Sequence, residues 1–134
     1  DDSASRGLGD VYKRQNLDLT KAYKGIAVSS GNSFVHETES QVILNGSYNI
    51  NFTMDLVLKD TGLFDELAKK LNAPLEISPK IVEIFKDGQK KYGSRAWSSM
   101  IVKRMEDLNK IDFRAEGFPE ELTDNEPEEK GYEI

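Results

Sequence analysis

Few residues in this chain are equipped for chemistry, and their spacing excludes most familiar arrangements. Cysteine is absent, which removes thiol nucleophiles, disulfides and zinc-thiolate centres. His36 is the only histidine. No acidic pair at metal-ligand spacing accompanies it, so it reads as an exposed or helix-facing polar residue. Glu37 and Glu39 stand two apart and would point to different sides of a helix, which argues against shared acid/base work. "SSGNS", Ser29 to Ser33, has a single glycine and lacks the lysine of a phosphate loop. It suits a turn between helices.

The informative pair is Lys59-Asp60, at the end of "NFTMDLVLKD", Asn51 to Asp60. At about 100° per residue, Phe52, Leu56, Leu63, Leu67 and Leu71 share one apolar face. Asp60 falls near the middle of that arc and Lys59 on its rim. If the face is core, an unpaired carboxylate there costs several kcal/mol unless it gains hydrogen bonds or a countercharge. One reading makes Asp60 a structural acceptor at a helix junction. The other adds Lys59, whose long stem can cross the apolar rim and place an ammonium in a neighbouring cleft. The residues alone leave both open.

The elements that must hold this pair are helical, because strict polar/apolar alternation is short wherever it occurs. "LDLTKAYKGIAVSS" predicts a short helix ending before Gly31. "SFVHETESQVILNG" predicts a second, with Ser33 as N-cap and Gly46 as stop. The third runs from about Asn51 to Leu71, ended by Pro74. Gly62 inside it should cost about 1 kcal/mol against alanine, so it marks close packing, room for a ligand, or a tolerated defect. The fourth opens with Ser78 as N-cap and Pro79 at the first helical position. It turns Ile81, Ile84 and Phe85 inward and stops near Gly93. A last helix, Ala96 to Leu108, carries Trp97, Ile101, Met105 and Leu108 on one core-facing stripe. The class is all-α.

At 134 residues the chain has room for one domain, two at most. Hydrophobic content of 37% and charged content of 31% fit an ordinary water-soluble domain. No run approaches the ~18 apolar residues of a membrane span, and the lack of cysteine is compatible with a reducing cytoplasm, the expected location. The net charge of -6 is concentrated. Glu116 to Ile134 holds eight acidic residues and one lysine, so everything before it sums to +1. That body lacks the basic stripe of nucleic-acid binders.

"SRGLGDVYKRQ", Ser5 to Gln15, resembles the in-frame translation of a transposon-derived sequencing adapter, "DVYKRQ" corresponding to the transposon end. The expectation is that 1–15 is foreign, that the natural sequence begins near Asn16, and that the chain is a fragment. The expected organisation is this adapter-like segment 1–15, a helical domain 16–112, and an acidic tail 113–134.

"GNSF…NINFTMDLVLKDTGLFDELAKKLNAPLEISPKIVEIFKDGQKKYGSRAWSSMI" resembles the C-terminal helical domain of the β-hydroxyacid dehydrogenases. That family includes 3-hydroxyisobutyrate dehydrogenase, tartronate semialdehyde reductase and glyoxylate reductase, and its helical domain is 6-phosphogluconate dehydrogenase-like. The resemblance covers about Leu17 to Leu108. Its most specific part is a phenylalanine eight residues before an aspartate, with lysine just before that aspartate: Phe52, Lys59, Asp60. The turn "LNAPLEISP" and the small polar segment Gly93 to Ser98 also fit.

The resemblance implies that Lys59 reaches a nicotinamide cofactor, NAD or NADP, bound to a separate N-terminal Rossmann domain. It implies that Phe52 walls the cleft, that Asp60 organises the site locally, and that Ser33 matches a serine of the family's "G-S-G-x-S" turn. A glycine-rich dinucleotide fingerprint and the family's catalytic lysine are not among these residues. Lys21 and Lys24 lie beyond the catalytic lysine's position and do not take its role. The parent protein is then expected to move a hydride between a 3-hydroxy acid and NAD(P), as a homo-oligomer, with this part alone inactive. The alternative is a free-standing helical protein-interaction module with an acidic tail.

Overall fold

Asp18 opens the first helix by accepting the Thr20 and Lys21 amides on Oδ1, at 2.9 and 3.2 Å. In this computed structural model, which describes residues 17–122 and 131, α1 spans Leu19–Ala27. The adapter-like segment and most of the acidic run lie outside the described residues. Helix α2, Phe34–Asn45, begins and ends as its sequence predicts. Ser33 Oγ accepts the His36 amide at 3.0 Å, and Gly46 takes the left-handed conformation, φ 95°, that stops the helix.

Helix α3, Met54–Lys70, starts three residues later than its pattern suggests. Asn51 is left-handed, φ 56°, and the chain through Thr53 is extended and pairs with Trp97. Helix α4, Ser78–Tyr92, follows. Ser78 is not its cap: the hydroxyl donates instead to Asp65 Oδ1 of α3 at 2.6 Å. The single helix expected after Ala96 is two pieces, a 3-10 turn Ser98–Val102 and α5, Lys103–Asn109. Among the described residues there is no strand, only two isolated bridges, Asn49 with Glu121 and Thr53 with Trp97. The fold is all-α, and no described helix is long and apolar enough to cross a membrane.

Val42 and Met54 are fully buried, with Leu44, Tyr48 and Ala68 nearly so. Helices α3 and α4 share the most extensive contact among the described helices, and Gly88 shows why a glycine sits there. A Cβ at Gly88 would lie 2.7 Å from Ile101 Cδ1 and 3.2 Å from Met54 Sδ. Gly62 is different, since nothing lies within 4 Å of its would-be Cβ.

The face of α3 that packs inward is not the leucine stripe. Met54 and Ala68 are buried and Thr61 and Asp65 half-buried, at a spacing that puts all four on one side of the helix. These smaller residues admit α4. Leu63, Leu67 and Leu71 lie on the opposite side, each more than half exposed. The premise that Asp60 sits against a core face is therefore corrected: it sits on an uncovered one. Met105 and Leu108 are likewise exposed, because the 3-10 turn ahead of them breaks the helical phase that would carry them inward.

Residues 113–122 fold back on the helices. Ala115 N donates to Leu44 O at 3.0 Å, Asn45 Nδ2 to Phe118 O at 2.9 Å, and Ser47 Oγ to Glu120 O at 2.6 Å. The Phe118 ring meets Tyr23 edge-on at 5.2 Å.

Candidate cofactor-cleft site

The start of α3 is fixed by a second segment that crosses it. Met54 N donates to Ala96 O at 2.9 Å, Asp55 N to Ser94 O at 3.1 Å, and Ser98 N to Phe52 O at 2.8 Å. Orphan amides of the first helical turn thus find partners without a side-chain cap. Asp55 reinforces the junction. It accepts the Thr53 hydroxyl, the Leu56 amide at 3.0 Å, and Arg95 Nη1 at 3.2 Å. The Thr53 hydrogen bond, with help from Arg95, holds its carboxyl below the usual aspartate range. Phe52 leads into this junction and leaves 37% of its surface exposed.

One helical turn into α3, Lys59 Nζ lies 3.3 Å from Asp60 Oδ1, with both side chains more than half exposed. An ion pair this wet is worth no more than about 1 kcal/mol. The pair leaves the ammonium accessible to a stronger anionic partner. Phe52, Lys59 and Asp60 therefore share one element and its lead-in. Ser33 does not join them: among the described residues no hydrogen bond or ion pair links it to the other three. Its oxygen serves the His36 amide.

His36 behaves as its neighbours dictate. Nε2 meets Tyr23 O at 3.0 Å and Nδ1 meets Ser40 Oγ at 3.1 Å, and the ring lies 4.9 Å from that of Tyr23. It ties α1 to α2. Among the described residues no group of acidic and histidine side chains could hold a metal.

Sequence reasoning passed over the most buried charge. Glu106 is 1% exposed. Its Oε1 accepts Arg114 Nη1 and Phe113 N, both at 2.8 Å, and its Oε2 accepts the Tyr48 hydroxyl. Arg114 Nη2 also donates to the Tyr48 oxygen at 2.7 Å, and the guanidinium lies over the Tyr48 ring, 5.1 Å from its centroid. Burial, and then the bond to Glu106, push the Tyr48 phenol up to about 12. Both carboxylate oxygens of Glu106 and the Tyr48 hydroxyl have partners within the fold, so the cluster reads as a lock rather than a reaction centre. The one sequence signal was an arginine standing alone ahead of an acidic run.

Comparison with known proteins bears on the α3 site. The profile of the family described as "NAD-binding of NADP-dependent 3-hydroxyisobutyrate dehydrogenase" matches residues 10–105, more than half of the chain. The chain belongs to that family of β-hydroxyacid dehydrogenases. Its relatives include the L-threonate dehydrogenase of Escherichia coli K12, 28% identical over 72 residues, 54% of this chain and 24% of that one. The 2-(hydroxymethyl)glutarate dehydrogenase of Eubacterium barkeri is 32% identical over 87 residues, 64% of this chain and 29% of that one. A crystal structure of 3-hydroxyisobutyrate dehydrogenase from Salmonella typhimurium superposes with a TM-score of 0.60 at 27% identity, covering 69% of this chain and 33% of that one. The chain thus spans about a quarter to a third of the length of these family members. Its all-α architecture is that of the family's helical domain.

Proposed function

We propose that this chain supplies the cofactor-facing helical part of an NAD(P)-dependent 3-hydroxyacid dehydrogenase, with Lys59 as its cationic contact to the dinucleotide. The observation that carries this reading is the setting of Lys59. It projects from α3 into solvent, paired only weakly to Asp60 at 3.3 Å. Such an ammonium can donate to an anionic or carbonyl oxygen of a ligand without leaving a buried charge behind. Asp60 keeps it oriented. The exposed face of Phe52 offers a wall for a planar ring, and Ser33, whose oxygen is used by the helix cap, has its O–H left to donate. NAD or NADP, when bound, supplies the redox chemistry, and these residues bind and orient it. No residue of this chain is given the proton-transfer step, so the chain alone is expected to turn over no 3-hydroxy acid.

The same reading gives Leu63, Leu67 and Leu71 to subunit packing in a homo-oligomer. A contiguous apolar stripe of this kind is usually covered in the working assembly.

The test is a titration of the chain with NAD+ or NADP+ followed by NMR. Weak binding is expected, with shifts concentrated at Phe52, Lys59 and Asp60 and lost in Lys59→Ala. That variant should unfold within about 1 kcal/mol of the parent. Shifts absent from these residues would remove the cofactor role. A Lys59→Ala loss above about 2 kcal/mol would instead make the pair a structural bridge.

A further inference from the structure

We infer that the pocket lined by Asn49, Ile50, Asn51, Trp97, Glu121 and Leu122 binds a neutral polyhydroxylated ligand of about monosaccharide size. It adjoins the start of α3, through Asn51 and Trp97, but none of Ser33, Phe52, Lys59 and Asp60 lines it.

The pocket is built by a loop held in an uncommon shape. Tyr48 and Asn51 both sit at φ 56°, a region that asparagine tolerates and tyrosine rarely adopts. Tyr48 is fixed there because its carbonyl accepts Ser99 Oγ at 2.6 Å and its hydroxyl is bound to Glu106. Strained backbone held by its surroundings in this way is concentrated at binding sites. Between the two strained residues, the Asn49 amide donates to Ser47 Oγ at 3.2 Å. Asn49 Nδ2 donates to Glu121 Oε1 at 3.2 Å. Trp97 is set by its bridge to Thr53 and by the Met100 amide, which donates to its carbonyl at 3.0 Å.

The chemistry of the lining selects the ligand class. The Asn51 carboxamide offers two N–H donors and an acceptor, and among the described residues it makes no hydrogen bond. The Trp97 indole N–H is likewise without a partner there, and Glu121 has one carboxylate oxygen to spare. A hydroxyl both donates and accepts, so adjacent hydroxyls can satisfy amide and carboxylate together. The C–H face of a sugar ring suits the flat indole. Among the described residues no cationic side chain lines the pocket, and Glu121 repels anions. The volume of about 310 Å³ corresponds to roughly ten waters, ample for a pyranose and small for a dinucleotide.

Trp97 is the chain's only tryptophan, so its emission reports on this pocket. The full chain is titrated with D-glucose, D-xylose and D-mannitol, and separately with D-gluconate. A saturable change with at least one neutral compound in the millimolar range is expected, with gluconate clearly weaker. Asn51→Gly, which keeps the left-handed backbone while removing the carboxamide, should weaken that binding roughly tenfold. The inference is overturned if no neutral compound saturates, if gluconate binds as well as glucose, or if Asn51→Gly binds like the parent. Failure of NAD+ to perturb Lys59 would leave it untouched.

Discussion

Arg114 faces a carboxylate that has almost no contact with water, and that pairing sets the first expectation. Removing one partner of a buried ion pair leaves an uncompensated charge, at about 3 kcal/mol or more. Arg114→Leu should therefore lower the urea unfolding free energy by about 3 kcal/mol, whereas most surface changes stay within about 0.5 kcal/mol. Tyr48 gives the same cluster a pH dependence. Its phenol is raised from about 10 in the unfolded chain to about 12 in the fold. The folded state holds the proton longer, so its contribution is complete below pH ~10 and is lost as pH rises towards ~12. The alkaline limb of a stability-against-pH curve should flatten in Tyr48→Phe. This cluster was not legible in the sequence, since Tyr48 stands 58 residues from Glu106 and periodicity marks both glutamate and arginine as surface. Ser33 and Gly46 were legible because a helix cap is decided within a few residues of itself.

At the level of the element, α3 shows how an amphipathic pattern can be read in the wrong phase. The leucines have the larger side chains and dominate any apolar count, yet Met54, Thr61, Asp65 and Ala68 face α4. The lack of a side chain at Gly88 makes room there for the Met54 side chain, and Asp65 is satisfied by Ser78 at 2.6 Å. Helix existence and approximate length were readable from composition and breakers. The packed face was not, because it depends on where the partner helix lies. Gly62 has no atom within 4 Å of a would-be Cβ, so neither close packing nor crowding requires a glycine there. Gly62→Ala should stabilise the chain by about 1 kcal/mol, measured as a raised thermal midpoint. An unchanged or lowered midpoint would show that α3 bends or opens at Gly62 in a way its packing does not record.

For the molecule as a whole, the same misread face becomes part of an extended exposed apolar surface. Leu63 and Leu67 of α3, Leu71 just past its end, Phe64 beside them, and Ile77 and Ile81 at the start of α4 are all exposed. Phe64, Ile77 and Ile81 share one open groove along the α3–α4 hairpin. Each large apolar side chain left in water forgoes roughly 1.5–3 kcal/mol of burial, and a run of them favours association over isolation. Ile26, Val28, Phe34 and Val35, about the α1–α2 turn, are exposed as well, a smaller set than the six on the hairpin. Association should therefore run through the α3–α4 hairpin. Sedimentation of the parent chain should show concentration-dependent oligomers, and Leu67→Glu should shift it towards monomer. Because Leu67 is already 53% exposed, that variant should unfold within about 0.5 kcal/mol of the parent. A monomeric parent at every concentration would release the leucine stripe from the packing role assigned to it. A Leu67→Glu chain that loses stability while remaining oligomeric would place the contact on another face.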